Sequence, residues 1–291
     1  MIPEFHPSPR AKENIYCPKH GVLMCEVCLV EELDKVALLQ EKHVSNRDSY
    51  RTPEEDILEK REKTTSDHIG GGINKTQLVG LKDDGSAIFK PKEGEVRWKD
   101  EIPKGTYYRR ERAAYLVDRF LGFNMVPSTV IREIDGAVGS LQSFVEKSII
   151  PSRMPVSDFN NHIKEHGDQY LKMFLFDILI ANSDRHSGNM LIDENGNIRA
   201  IDHGFSFEPD TFMFSVESYY GEYISETVKE ELLPAFFDES RLSILKDLLL
   251  ELLEKKAVNS FFKRLNLVKK YLEKGNISEY AYRELFPEYY R

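Results

Sequence analysis

At 291 residues the chain is long enough for one large domain or two modest ones with a substantial core. Charged residues make up 31% and hydrophobic residues 41%, an ordinary globular balance that excludes wholesale disorder. A net charge of −9 argues against broad nucleic-acid binding and against docking on an anionic bilayer, and apolar runs such as 173–181 are too short and too charged to form a transmembrane segment.

Residues 1–13 read as a Pro-containing leader without the basic-then-apolar pattern of a secretory signal, which sets a cytoplasmic expectation. All three cysteines then fall in Cys17-Pro-Lys-His20-Gly-Val-Leu-Met-Cys25-Glu-Val-Cys28. The C-x2-H-x4-C-x2-C spacing supplies three thiolates and one imidazole, enough to close a tetrahedral structural Zn²⁺ site with no open position for catalysis. The bland alternative is a surface loop with free thiols. A knuckle of this size, taken as residues 1–30, would dock a protein partner or brace the body that follows.

Residues 31–65 are rich in Glu, Lys and Leu and read as a helical connector with a solvated charged face. Within it, Thr52-Pro53-Glu-Glu has the form of a helix start, with Thr as N-cap and Pro at the first position. Gly70, Gly71 and Gly72 open the next unit. Glycines let backbone N–H groups approach phosphate oxygens, although the triplet lacks Walker A spacing and serves equally as a joint. An expected hairpin at Asp84-Gly85 places Lys90 opposite Val79 at the end of an apolar strand, where a fixed cation could bind phosphates.

A helix is expected over 106–121, capped by Thr106 and stopped by Gly122. Strands over 126–134 and 137–146, joined by Asp135-Gly136, complete a small antiparallel sheet. Past Pro151 and Pro155, His162-Ile-Lys-Glu165-His166 has the H-x-x-E-H form of an inverted zinc peptidase, but its polar neighbours suit a solvated helix end.

An apolar helix over 170–181 delivers the richest stretch, Asp184 to Gly204. Asp177 and Arg185 are expected to brace it. Asn195-Gly196 is the dipeptide that a two-residue hairpin turn prefers. Such a turn would oppose Asn189 and Asp202 with Cβ atoms roughly 5 Å apart, so that their oxygens could share one Mg²⁺. Asp184 precedes Asn189 by the spacing at which phosphoryl-transfer enzymes place a catalytic Asp and a metal-binding Asn.

At these residues the chain resembles the phosphatidylinositol 3-/4-kinase catalytic-domain family, a branch of the protein-kinase-like fold. The carriers are Asn182-Ser-Asp184-Arg-His186-Ser-Gly-Asn189, similar to D-R-H-x-x-N, and Ala200-Ile-Asp202-His-Gly204, similar to I-D-[FN]-G. Phe89-Lys90-Pro91-Lys92 is also similar to the F-K-P-K segment of the compact type II phosphatidylinositol 4-kinases, which together with small prokaryotic members look nearest. The resemblance implies ATP with Mg²⁺ or Mn²⁺, and makes Glu111 the partner of Lys90, with Glu101 as rival. It gives His186 a part in proton transfer, against a purely structural hydrogen bond. His203 departs from the Phe or Asn usual in the family.

From 205 to 228 there is no Lys or Arg, while Glu208, Asp210, Glu217, Glu222 and Glu226 accumulate. A polyanionic head group would be repelled there, so the acceptor leans to a protein hydroxyl, with a lipid hydroxyl as the alternative. Leucines from Leu242 onward repeat at helical spacing and read as core. The expectation is an α+β, two-lobed kinase-like fold with an N-terminal zinc knuckle: a sheet lobe over 66–146 and a mostly helical lobe over 147–291. The alternatives are a phosphatidylinositol kinase and a non-catalytic nucleotide-binding adaptor.

Overall fold

The computed structural model describes residues 16–17, 22–23, 50–69, 74–96, 102–209, 221–280 and 283, and the chain divides into two units between Thr52 and Pro53. In the first unit the residues described before Tyr50 form an antiparallel pair, β1 (Tyr16–Cys17) with β2 (Val22–Leu23), Cys17 opposite Val22. His20, Cys25, Cys28 and the side chain of Cys17 lie outside the described residues, and so does the expected zinc site.

The second unit opens with α1 (Pro53–Lys60), whose first turn carries Glu54, Glu55 and Asp56, the charge that suits a helix N-terminus. Glu54, Glu59 and Lys60 are exposed, as a solvated face requires, but one charge is not. Leu58 and Glu55 are buried, and Glu55 meets Arg112 at 2.5 Å and Arg119 at 2.7 Å. Two arginines from a distant helix make that burial possible, a pairing that local periodicity does not reveal. The next strand already begins at Lys63.

Five antiparallel strands follow: β3 (Lys63–Ile69), β4 (Thr76–Leu81), β5 (Gly85–Pro91), β6 (Thr129–Ile134) and β7 (Ala137–Ser143), in the spatial order β3-β4-β5-β7-β6. Alternation along the strands sends Val79, Leu81, Ala87, Phe89, Val130 and Leu141 into one core with Leu58 of α1. Each large apolar side chain so buried contributes about 1.5–3 kcal/mol. Lys90, next to Phe89, therefore projects to the opposite face, and its backbone pairs with Ser140 of β7. The neighbouring Gly139 permits that pairing, because a Cβ there would lie 2.3 Å from the Lys90 carbonyl oxygen.

The two turns of this sheet differ. Asp135-Gly136 forms the expected two-residue turn, at φ 52° and 79°, with Ile134 facing Ala137. The β4–β5 turn instead spans 82–84, so Val79 faces Ala87 and not Lys90. Asp83 and Asp84, at φ 60° and 59°, supply the left-handed residues there.

The helix α2 (Tyr107–Leu121) lies against β6 and β7. The rest is mostly helical: α3 (Val156–Glu165), α4 (Gly167–Ile180), a hairpin of β8 (Met190–Ile192) and β9 (Ile198–Ala200), then α5 (Glu226–Phe236), α6 (Glu239–Leu252) and α7 (Lys255–Lys274). The last half of α4 is buried from Leu175 to Ile180 and packs against α7. Leu242, Leu245 and Leu249 of α6 and Leu265, Val268 and Leu272 of α7 are core, as their spacing predicts. Arg110, fully buried on α2, donates to Ser206 O at 2.6 Å and to Glu254 Oε2 at 3.1 Å, tying α2 to the segment after β9 and to the start of α7.

Candidate active site

The loop of the β8–β9 hairpin is one residue longer than Asn195-Gly196 implies. Asp193 N donates to Asn197 O at 2.9 Å, Gly196 N donates to Asp193 O at 3.0 Å, and Gly196 sits at φ 78°. This is a three-residue loop with a left-handed third residue. Asp193 selects it: its carboxylate accepts Asn195 N at 3.0 Å, Asn197 N at 2.9 Å and Arg199 Nε at 3.0 Å. The register moves accordingly, with Met190 opposite Ala200 and Ile192 opposite Ile198. Asn189 and Asp202 are thus not directly opposed; Asn189 O accepts the N–H of Ile201 at 3.2 Å.

The two side chains nevertheless reach the same place. Asp202 leaves the ladder at φ 62°, a left-handed conformation that Asp tolerates better than most residues. Its Oδ1 accepts from Lys90 Nζ at 3.0 Å. Lys90, Glu111, Asp184, His186, Asn189 and Asp202 line one cleft of about 240 Å³, together with Asn74, Tyr107 and Phe205. Gly70, Gly71, Gly72 and Glu101 lie outside the described residues.

Lys90 Nζ also donates to Glu111 Oε1 at 2.5 Å. Burial works against the ammonium, but Asp202 and Glu111 outweigh it and hold the Lys90 pKa above its ordinary value. Burial likewise opposes the Glu111 carboxylate, and Lys90 and His203 outweigh that, holding it well below the usual carboxylate range. This ion pair is charged at any physiological pH. Glu111 Oε2 accepts the backbone N–H of His203 at 3.0 Å, so the helix carrying Glu111 is tied to the residue after Asp202.

The loop that carries Asp184 and Asn189 is held from behind by Arg185. Its Nε and Nη2 donate to the two Asp177 oxygens at 3.0 and 3.1 Å, Nη1 donates to the carbonyls of Asn189 and Ile201, and Nη2 meets His203 Nε2 at 3.0 Å. Asp177 also accepts from Asn182 Nδ2 at 2.8 Å. Asn189 Nδ2 donates to Asp184 O at 2.9 Å and lies 3.4 Å from Asp184 Oδ2. The amide hydrogens are therefore spent on Asp184, and Asn189 Oδ1 and Asp202 Oδ2 accept no hydrogen bond among the described residues. An amide oxygen and a carboxylate oxygen of this kind, beside the carboxylate of Asp184, suit a hard divalent cation.

His186 Nδ1 accepts from Gly188 N at 3.0 Å, which places the neutral ring's hydrogen on Nε2. The structural hydrogen bond and a proton-carrying edge coexist. His162 and His166 stack at 4.2 Å against the hairpin turn, with His162 Nε2 3.1 Å from Gly196 O. They support that turn.

Glu95 carries no signal in the sequence. Its carboxylate accepts Gly105 N at 2.6 Å and Tyr108 N at 3.0 Å, capping α2, while the expected cap Thr106 turns its hydroxyl to Pro103 O at 2.6 Å. A cap supplied from outside the helix has no local signature. The network around His203 lacks one for the same reason.

A family model described as phosphatidylinositol 3- and 4-kinase matches residues 105–275, more than half of the chain. Protein Rv2133c of Mycobacterium tuberculosis is 29% identical over 190 residues, covering 54% of this chain and 67% of that protein. Phosphatidylinositol 4-kinase gamma 4 of Oryza sativa subsp. japonica is 31% identical over 131 residues, and its namesake in Arabidopsis thaliana 33% over 138. Each match covers 35% of this chain, but the chain spans only 21% and 22% of the plant proteins. Among solved structures, that of hydra Fam20 with sugar superposes with a TM-score of 0.53 at 19% identity, covering 80% of this chain and 88% of that one, a likeness of fold. The matched stretch holds Glu111, Asp184, Asn189 and Asp202, the residues that converge on the cleft, and by that match the chain belongs to the phosphatidylinositol 3- and 4-kinase family.

Proposed function

We propose that the protein is an ATP-dependent phosphotransferase that moves the γ-phosphoryl group to a hydroxyl acceptor. The observation that carries this reading is the convergence of Lys90, Asp184, Asn189 and Asp202 on one cleft. Lys90, held by Glu111, would grip phosphate oxygens of the nucleotide. Asn189 Oδ1 and Asp202 Oδ2 would hold Mg²⁺ or Mn²⁺, which when bound neutralises charge on the phosphate oxygens of the nucleotide. Asp184 would orient the acceptor hydroxyl and take its proton as the oxygen bonds to the γ-phosphorus and the bond to ADP breaks. His186 would stand by with its Nε2–H. Positioning and fixed charge supply the rate enhancement.

The acceptor leans to a protein hydroxyl. Support comes from the stretch 205–228, which has no Lys or Arg to receive a polyanionic head group. The names of the plant relatives favour a second reading, a phosphatidylinositol kinase. Radiolabelled ATP with Mg²⁺ and a cell extract, with lipid and protein label separated, distinguishes the two. Label that disappears in Asp184→Ala and Asp202→Ala supports the enzyme, whereas nucleotide binding without turnover in the wild type would make the protein a non-catalytic adaptor. Cys17, His20, Cys25 and Cys28 would hold one structural Zn²⁺ and dock a protein partner, and native protein free of zinc would end that part of the proposal.

A further inference from the structure

We infer that the His203 imidazole is a positioning residue: its Nε2 is the acceptor that completes the Arg185 network and thereby fixes Asn189 and Asp202. The inference rests on the phosphotransferase reading and adds a role for His203, to which that reading assigns none.

A guanidinium has five N–H groups and accepts nothing. In Arg185 all five are committed: two to Asp177, one each to the carbonyls of Asn189 and Ile201, and the fifth to His203 Nε2. Those two carbonyls belong to one proposed cation ligand and to the residue before the other. Since Arg185 can only donate, His203 must present a lone pair at Nε2, so its ring hydrogen sits on Nδ1. Nδ1 lies 3.7 Å from Glu111 Oε2, and the ring packs edge-on against Phe176 at 5.8 Å. The side chain is fully buried, so no water competes for these groups. At 3.7 Å the Nδ1 contact is electrostatic and no hydrogen bond, so Nε2 makes the hydrogen bond of the side chain, while the backbone N–H of His203 holds Glu111.

A phenyl ring has the bulk but no lone pair, and Phe at 203 would leave one buried Arg185 N–H without an acceptor. Gln can place an amide oxygen near the Nε2 position. Asn, one bond shorter, reaches only the Nδ1 position.

The test uses the full-length protein and compares His203→Phe, His203→Gln and His203→Asn in Mg²⁺-ATP turnover. For His203→Phe, kcat is expected to fall about tenfold or more while the KM for ATP stays within about threefold, as suits the loss of a hydrogen bond to a charged group. His203→Gln should recover most of kcat, and His203→Asn should not. Wild-type kcat in His203→Phe, or no advantage of Gln over Phe in folded proteins, overturns the inference. Should His203→Phe fail to fold, the comparison of Gln with Asn decides. If the wild type shows no turnover, the phosphotransferase reading has failed, and thermal unfolding decides the positioning role. The extra shift that Mg²⁺ adds to ADP should then be lost in His203→Asn and kept in His203→Gln; equal shifts overturn it.

Discussion

Lys90 and Glu111 meet at 2.5 Å from two different elements, strand β5 and helix α2, with Glu111 only 3% exposed. A carboxylate buried to that degree depends on its cation. Lys90→Met should therefore cost about 3–5 kcal/mol of stability, the usual penalty for stranding one partner of a buried pair. Adding Glu111→Leu should return much of it, since both charges are then gone, while turnover stays absent in both variants. Urea unfolding and an ATP assay on the two proteins check this.

The pH dependence of stability should carry two opposite signatures. The Glu111 pKa is depressed from 4.5, so its contribution is full above that value and is lost as the pH falls below it. Asp118 behaves in the reverse sense. Burial pushes it up from 3.8 to about 7, against the pull of the Met125 and Val126 N–H groups. The folded state then holds a proton that the unfolded state has released, and stability declines as the pH rises across that interval. Asp118→Asn keeps an acceptor for Met125 N and removes the charge. Its melting temperature relative to wild type should climb between about 4 and about 7 and level off above.

Arg185→Lys should behave as a disabling change. An ammonium has three donors and no planar fork, so at least two of the five acceptors lose their partner. The expected loss is about 1–3 kcal/mol of stability for the unsatisfied buried groups, and about a hundredfold in kcat from displacement of the loop. Steady-state kinetics beside denaturant unfolding would separate the two effects.

Gly139→Ala tests the backbone beneath Lys90. The added methyl carbon would meet the Lys90 carbonyl oxygen at 2.3 Å and the Phe89 ring at 2.8 Å, and both belong to a packed strand that cannot give way. Overpacking of this kind costs about 1–3 kcal/mol. Affinity for nucleotide should fall with it, measurable by calorimetry with ADP.

How far local signals reach is clearest at the hairpin turns. Asp135-Gly136 and Asn195-Gly196 are the same kind of dipeptide, yet only the first makes a two-residue turn. At the second, the Asp193 carboxylate captures two backbone N–H groups and fixes a longer loop. The grouping of Asp184, Asn189 and Asp202 in one cleft was legible from type and spacing, although the register behind it was not: the left-handed turn at Asp202 compensates for the shift. Glu55 with its two arginines, Glu95 on α2 and His203 between Arg185 and Glu111 were not legible. Each depends on partners brought together only by tertiary folding, and no periodicity encodes them.

The position of β5 within the sheet has a dynamic consequence. Every residue of β3 after Lys63 is exposed, and among the described residues β3 pairs with β4 alone. A marginal strand anchored by little more than its ladder should exchange its amide hydrogens first. β5 is flanked by β4 on one side and β7 on the other, so the strand bearing Lys90 should be among the last to open. Fraying at the rim of the sheet then leaves the grip on nucleotide intact, and the order of deuterium uptake along β3, β4 and β5 would display that gradient.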